Sequence, residues 1–206
     1  IDRYEDILGT YLVKLTGREL TGRQSADVSK FLHTISDFER ISDHALNVAE
    51  AAQEIHQKGI TFSGDARHEL SVLTDALREI LHNAIRAFIM EDLELAKRVE
   101  PLEELIDALC DEMKLHHVDR LQKGVCTLSQ GFVFNDLLTN YERVADHCSN
   151  IAVAMIEPAD AELNFSGALA LLESYSDEDF SEVQRMEGVI DRYEDILGTY
   201  LVKLTG

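Results

Sequence analysis

Tryptophan is absent from this 206-residue chain, proline occurs twice, cysteine three times, and 19 basic side chains stand against 39 acidic ones. With so little proline, long uninterrupted helices are expected. Cys110, Cys126 and Cys148 are an odd, widely spaced set without a CxxC pair, which excludes a disulfide scaffold and a zinc knuckle and leaves buried thiols in a reducing compartment. The net charge of −20 argues against non-specific nucleic-acid binding and adhesion to an anionic membrane, both of which need positive surface, and it suits cations. No apolar run approaches the roughly 20 residues that span a bilayer, and no signal peptide is visible, so a soluble, cytosolic chain is expected. Walker A, GxGxxG, GxSxG and HExxH motifs are all missing, and no Ser–His–Asp set can be assembled. Catalysis therefore has no positive support. What the chain does have is 45% hydrophobic residues, enough for a sizeable core.

It also has two kinds of internal repeat. Residues 1–17 and 190–206 are the same seventeen letters, IDRYEDILGTYLVKLTG. A second repeat is diverged: SDFERISDHALNVAE at 36–50 and TNYERVADHCSNIAV at 139–153 share E-R-x-x-D-H-x-x-N-x-A at a constant offset of 103. Each is matched by an upstream E-x-x-x-D, Glu103/Asp107 in LEELIDALCDE and Glu187/Asp191 in MEGVIDRYED. Asp107 precedes Glu142 by 35 residues, and Asp2, the twin of Asp191, precedes Glu39 by 37. The spacing matches if the C-terminal segment leads into residue 18, so the chain order reads as permuted with a seventeen-residue overlap.

Apolar residues recur at helical spacing nearly throughout. The periodicity predicts helices near 2–16, 24–57, 64–90, 92–122, 128–156, 164–175 and 178–204. Lys58-Gly59, Lys123-Gly124 and Glu157-Pro158 read as helix ends, Ser63, Ser129 and Ser166 as starts, and Glu91-Asp92 as a tight helix–helix turn. No alternating strand pattern stands out. The expected fold is all-α, two tandem three-helix bundles: 1–58 with 159–206, and 59–157.

E-x-x-x-D places two carboxylates one turn apart on one helix face. Such like charges destabilise a helix by a few tenths of a kcal/mol unless a cationic side chain or a bound cation offsets them. Glu39/Asp43 and Glu142/Asp146 repeat this in one register, and oxygen-only donors suit hard ions such as magnesium, manganese, calcium or ferric iron. A solvated helix face is the plainer alternative. His44 and His147 recur about 100° around the helix from the adjacent aspartates, which points to capping or an interface contact rather than to ligation. Glu79/His82 is the only E-x-x-H, whereas a di-metal carboxylate oxidase needs two on separate helices.

The paired E-R-x-x-D-H segments, each with its preceding E-x-x-x-D helix, resemble the signature of the PhoU family of phosphate-transport regulators. YLVKLTGRELTGRQSADVSKFLHTISDFER resembles most closely the cytoplasmic PhoU-like domain of bacterial sodium–phosphate cotransporters. The resemblance implies two three-helix bundles related by a pseudo-twofold axis, with iron or zinc bound at the E-x-x-x-D motifs and manganese or magnesium as further options. The ligands would be Glu39 and Asp43 with Glu187 and Asp191 in one bundle, and Glu142 and Asp146 with Glu103 and Asp107 in the other. Asp37, Asn47, Asn140 and Asn150 are weaker candidates. The implied role is a non-enzymatic restraint on phosphate uptake at the inner face of the membrane. The implied partner is a phosphate transporter, its membrane domain or a sensor kinase. A metal-free helical scaffold and a di-metal enzyme are the alternatives. The identical segments 1–17 and 190–206 compete for one groove, which predicts a homodimer by domain swapping if the second copy is released.

Overall fold

The computed structural model describes residues 2–17 and 20–173. Glu187, Asp191, the expected helix 178–204 and the second copy of the seventeen-residue repeat lie outside the described residues, and with them the expected pairing of 1–58 with 159–206. Among the described residues all regular elements are helices: α1 (Asp2–Thr16), α2 (Gly22–Lys58), α3 (Gly64–Met90), α4 (Leu93–Ala96), α5 (Val99–Gln122) and α6 (Leu128–Glu173). The chain divides into two units, residues 1–152 and 153–206.

Local chemistry sets the boundaries. Thr21 caps α2 in a capping box with Gln24, each side chain taking the other's backbone N–H. Thr127 and Gln130 repeat the device at α6, so Thr127 rather than Ser129 starts that helix. Ser63 caps α3. Gly59 and Gly124 turn the chain with φ of 62° and 67°, the left-handed conformation that glycine adopts without a Cβ clash. Glu91 takes φ 53° and Asp92 caps α4, which forms the expected tight turn.

Two expected helices differ. The stretch 92–122 breaks at Lys97-Arg98 into α4 and α5. The break puts Pro101 in the first turn of α5, where its missing N–H has no intrahelical partner to lose. In the other direction, α6 does not end at Glu157-Pro158 but runs on to Glu173, so Ser166 starts nothing. Pro158 removes one donor, yet alanines at 152, 154, 159 and 161 favour the helix on both sides.

Within residues 1–152, α3 and α5 pack together, and α6 joins them through Cys110 Sγ to the Leu138 carbonyl (3.9 Å) and Thr74 Oγ1 to Tyr141 Oη (3.2 Å). Leu73 and Ile80 of α3, Ile106 of α5 and Phe134, Leu138 and Ile151 of α6 are fully buried. Each contributes about 1.5–3 kcal/mol through burial. Cys110 and Cys148 are buried too, and burial pushes both thiols up to about 12, so they pack rather than react. The Arg120 guanidinium, 8% exposed, lies 5.3 Å from the Phe134 ring centroid and donates to both oxygens of Glu69 at 3.0 and 2.8 Å. α1 packs on α2. The start of α2 meets the end of α3 where Phe88 stands edge-on to Phe31 and Phe38, with Lys30 bridging to Glu91 at 3.4 Å.

Candidate metal centre

The two E-R-x-x-D-H segments sit on α2 and α6, and their histidines bring these helices together. His44 Nδ1 lies 2.9 Å from Asn140 Oδ1, and Asn47 donates to the same oxygen at 3.0 Å. With the helices exchanged, His147 Nδ1 lies 2.9 Å from Asp37 Oδ1, and Asn150 donates to it at 3.0 Å. The two imidazoles stack with centroids 5.7 Å apart. Asn140 spends its amide N–H on the Asp136 carbonyl, so its oxygen only accepts and His44 must donate from Nδ1. The histidines therefore have the interface role expected of them. Asp37, Asn47, Asn140 and Asn150, the weaker ligand candidates, are engaged in this knot instead.

The carboxylates lie away from this knot, on α5 and on another face of α6. Ligand oxygens of Glu103 and Asp107 on α5 and Asp146 on α6 all lie within 4.8 Å of one another, and all three residues are half-buried. Asp107 Oδ1 is buried with no hydrogen-bond partner. Burial, followed by the Asp107 and Asp146 charges, pushes Glu103 up to about 7. Burial, followed by Asp146 and Glu142, pushes Asp107 up to about 6. Asp146 is raised by burial against the lowering effect of Arg143, whose Nη1 lies 3.3 Å from its Oδ2. Crowded oxygens, a shortage of donors and an orphaned buried oxygen are the conditions that a hard cation relieves. The residues present fit such an ion.

Glu142, the fourth carboxylate expected here, is turned to Lys114, whose Nζ donates to Oε2 at 2.9 Å and to Asp111 at 3.2 Å. The hydrogen bond to Glu142 raises the Lys114 ammonium above its ordinary range, so the pair stays ionic. Lys114 is the site residue that motif reading missed; its place seven residues after Asp107 on the same helix face was the available signal. In the other half, Glu39 and Asp43 are half-buried on α2, with Arg40 Nε 3.7 Å from Glu39. Their expected companions, Glu187 and Asp191, lie outside the described residues.

Among known proteins the chain is similar to the phosphate-specific transport system accessory protein PhoU homolog 1 of Thermotoga maritima, 27% identical over 121 residues, 59% of this chain and 51% of that protein. It is also similar to the PhoU homologs of Deinococcus radiodurans, 24% identical over 61% of this chain and 57% of the relative, and of Pseudomonas putida, 26% over 60% and 47%. The chain thus spans about half the length of the curated relatives it matches. No solved structure matches significantly. No helix among the described residues is long and apolar enough to cross a membrane. The PhoU domain model matches residues 1–52 and 70–155, which takes in α1, most of α2 and α3, α5 and the knotted part of α6. With most of its length matched in this way, the chain belongs to the PhoU domain family.

Proposed function

We propose that this chain is a non-enzymatic regulatory domain of phosphate uptake that binds a cation through Glu103, Asp107 and Asp146. The observation that carries the reading is the convergence of these three carboxylates around an unpartnered Asp107 oxygen. The phosphate-transport part is supported by the accessory proteins to which the chain is similar. The domain acts at the cytoplasmic face of the membrane on a phosphate transporter, its membrane domain or a sensor kinase, as do the PhoU-like domains of sodium–phosphate cotransporters that its sequence resembles. Iron or zinc follows from that resemblance, while the oxygen-only donors equally accept manganese or magnesium. When bound, the ion supplies charge neutralisation between α5 and α6. Glu103 and Asp107 hold it from α5 and Asp146 from α6. By the same resemblance, Glu39 and Asp43 on α2 would supply the corresponding carboxylates of the other half.

Two observations favour a metal-free scaffold instead: Glu142 and Asp146 already have cationic partners in Lys114 and Arg143. The deciding experiment is elemental mass spectrometry on the untagged chain beside Asp107→Asn/Asp146→Asn and Glu39→Ala/Asp43→Ala. About one equivalent of metal per site, lost stepwise in the variants, is the expected result. No metal above background, and no thermal shift on adding manganese, zinc or ferrous iron, overturns the cation reading.

A further inference from the structure

Lys114 stands at the end of a column of carboxylates on α5. Glu103, Asp107, Asp111 and Lys114 follow one another at spacings of four, four and three residues, so they share one face of the helix. Glu142 and Asp146, four residues apart, share a face of α6 in the same way. The Lys114 ammonium donates to Glu142 Oε2 at 2.9 Å and to Asp111 Oδ1 at 3.2 Å. The Glu142 charge also reaches the cluster: behind burial and the Asp146 charge it pushes Asp107 up, while Lys114 pulls Asp107 down. The Lys114 and Glu142 side chains are each 34% exposed, so packing locks neither of them. The other half differs at this register. Asp2 and Glu39 are the repeat counterparts of Asp107 and Glu142, and seven residues after Asp2 stands Gly9, where α5 has Lys114. A Cβ at Gly9 would meet nothing within 4 Å, so no crowding accounts for the missing side chain.

A tethered ammonium supplies one positive charge at high effective concentration. A monovalent cation from solution carries the same charge and gains nothing by replacing it. A divalent cation carries twice the charge and takes about six oxygen ligands, more than Glu103, Asp107 and Asp146 fill with one oxygen each. We propose that Lys114 is an internal counter-cation that holds Glu142 away from Glu103, Asp107 and Asp146 and yields it, as a fourth carboxylate, to a divalent cation. Asp111 makes the exchange possible, because Lys114 keeps an ionic partner there when Glu142 leaves. Lys114 thereby sets the affinity of the site without touching the ion, and it does so in this half of the molecule alone. The inference rests on the cation reading of the cluster and names what regulates it.

The test titrates the full chain with manganese and reads the free ion by electron paramagnetic resonance. Every protein carries Glu39→Ala/Asp43→Ala, so that only the site between α5 and α6 is read. This parent is compared with Lys114→Met, with Lys114→Met/Glu142→Gln, and with Lys123→Met, which removes an exposed ammonium paired to Asp119 on the same helix. Lys114→Gln serves as a second neutral substitution, and circular dichroism melts show that each variant folds. Lys114→Met is expected to bind manganese about tenfold tighter or more, because it frees a fourth charged ligand. The gain should vanish when Glu142→Gln is added, and Lys123→Met should bind as the parent does. An equal gain with and without Glu142 reduces the effect to bulk charge and overturns the proposal. Equal binding by the parent and Lys114→Met overturns it too, while the bound manganese upholds the cation reading. No manganese on either protein refutes the cation reading itself, and the proposal with it.

Discussion

Replacing Asp107 by Asn removes one of three negative charges while preserving shape, and the metal-free protein should become more stable for it. Two unit charges 4.8 Å apart, the spacing that bounds the Glu103, Asp107 and Asp146 oxygens, repel by about 3.5 kcal/mol at an effective dielectric constant of 20 and by about 0.9 kcal/mol in bulk water. The groups are only half-buried, so solvent screening places the net gain at about 1–2 kcal/mol. The sign follows from linkage. Asp107 rises from 3.8 to about 6 and Glu103 from 4.5 to about 7 on folding. The folded chain therefore holds protons that the unfolded chain has released, and stability present at acid pH is lost as pH rises from about 4 through 7. In a chelator the gain from Asp107→Asn should be fully developed at pH 8 and about half as large at pH 5. At pH 8 it corresponds to a melting temperature higher by about 2–8 °C for a chain of this size. Circular dichroism melts at the two pH values read it directly. A variant less stable than wild type at pH 8, or a gain independent of pH, would refute the electrostatic account of this cluster.

Other substitutions test neighbouring parts. Lys114→Met should release Glu142 toward the three carboxylates, lowering metal-free stability by about 1 kcal/mol while strengthening manganese-induced thermal stabilisation. His147→Ala leaves the Asp37 carboxylate half-buried without its main donor and should cost about 2–3 kcal/mol in urea unfolding. Asp37→Asn should stay within about 1 kcal/mol of wild type, because Asn140 already accepts from His44 and Asn47 in the same arrangement on the other helix. At Gly131 a Cβ would lie 2.5 Å from His117 Nε2, an atom with no hydrogen-bond partner in a ring stacked on Phe134. Gly131→Ala should therefore destabilise by about 1–3 kcal/mol, and much of that loss should vanish in a His117→Ala background.

Helical periodicity was enough to read α1 and α3 to the residue and α2 to within two, because their ends coincide with caps or glycines. The grouping of Glu103, Asp107 and Asp146 was legible in the repeated E-x-x-x-D spacing, and the interface role of the histidines in their position a quarter-turn from the aspartates. Which carboxylate stays unpaired was not legible. Glu142 and Asp146 have the same motif context, and only the opposition of α5 and α6 shows that Lys114 reaches the first. The hydrogen-bonded roles of Asp37 and Asn140 were not legible for a similar reason. They lie two turns before the signature histidines, and a side chain's choice between an ion and a neighbouring helix is made by packing, not by spacing. Pro101 and Pro158 show the limits of residue-level rules: one sits just inside a helix start and the other deep within a helix.

The knot between α2 and α6 also bears on the order in which the chain assembles. Its four hydrogen bonds join residues 93 to 113 positions apart, whereas the hydrogen bonds from Cys110 and Lys114 that tie α5 to α6 each span 28 and those between α3 and α5 span 47 to 51. Closing a longer loop costs more chain entropy, and that cost comes before any contact can offset it. The α3, α5 and α6 assembly is therefore expected to form first and to present His147, Asn150 and Asn140 as a prepared surface on which α2 docks afterwards, an order that pulse-labelling hydrogen exchange would read. Every group in the knot needs a partner on the opposite helix, so a one-turn slip of α2 would strand a carboxylate and two amides at once. The late step is thus the one whose errors carry the largest penalty, and the knot serves as a proofreading device for the register of the two signature helices.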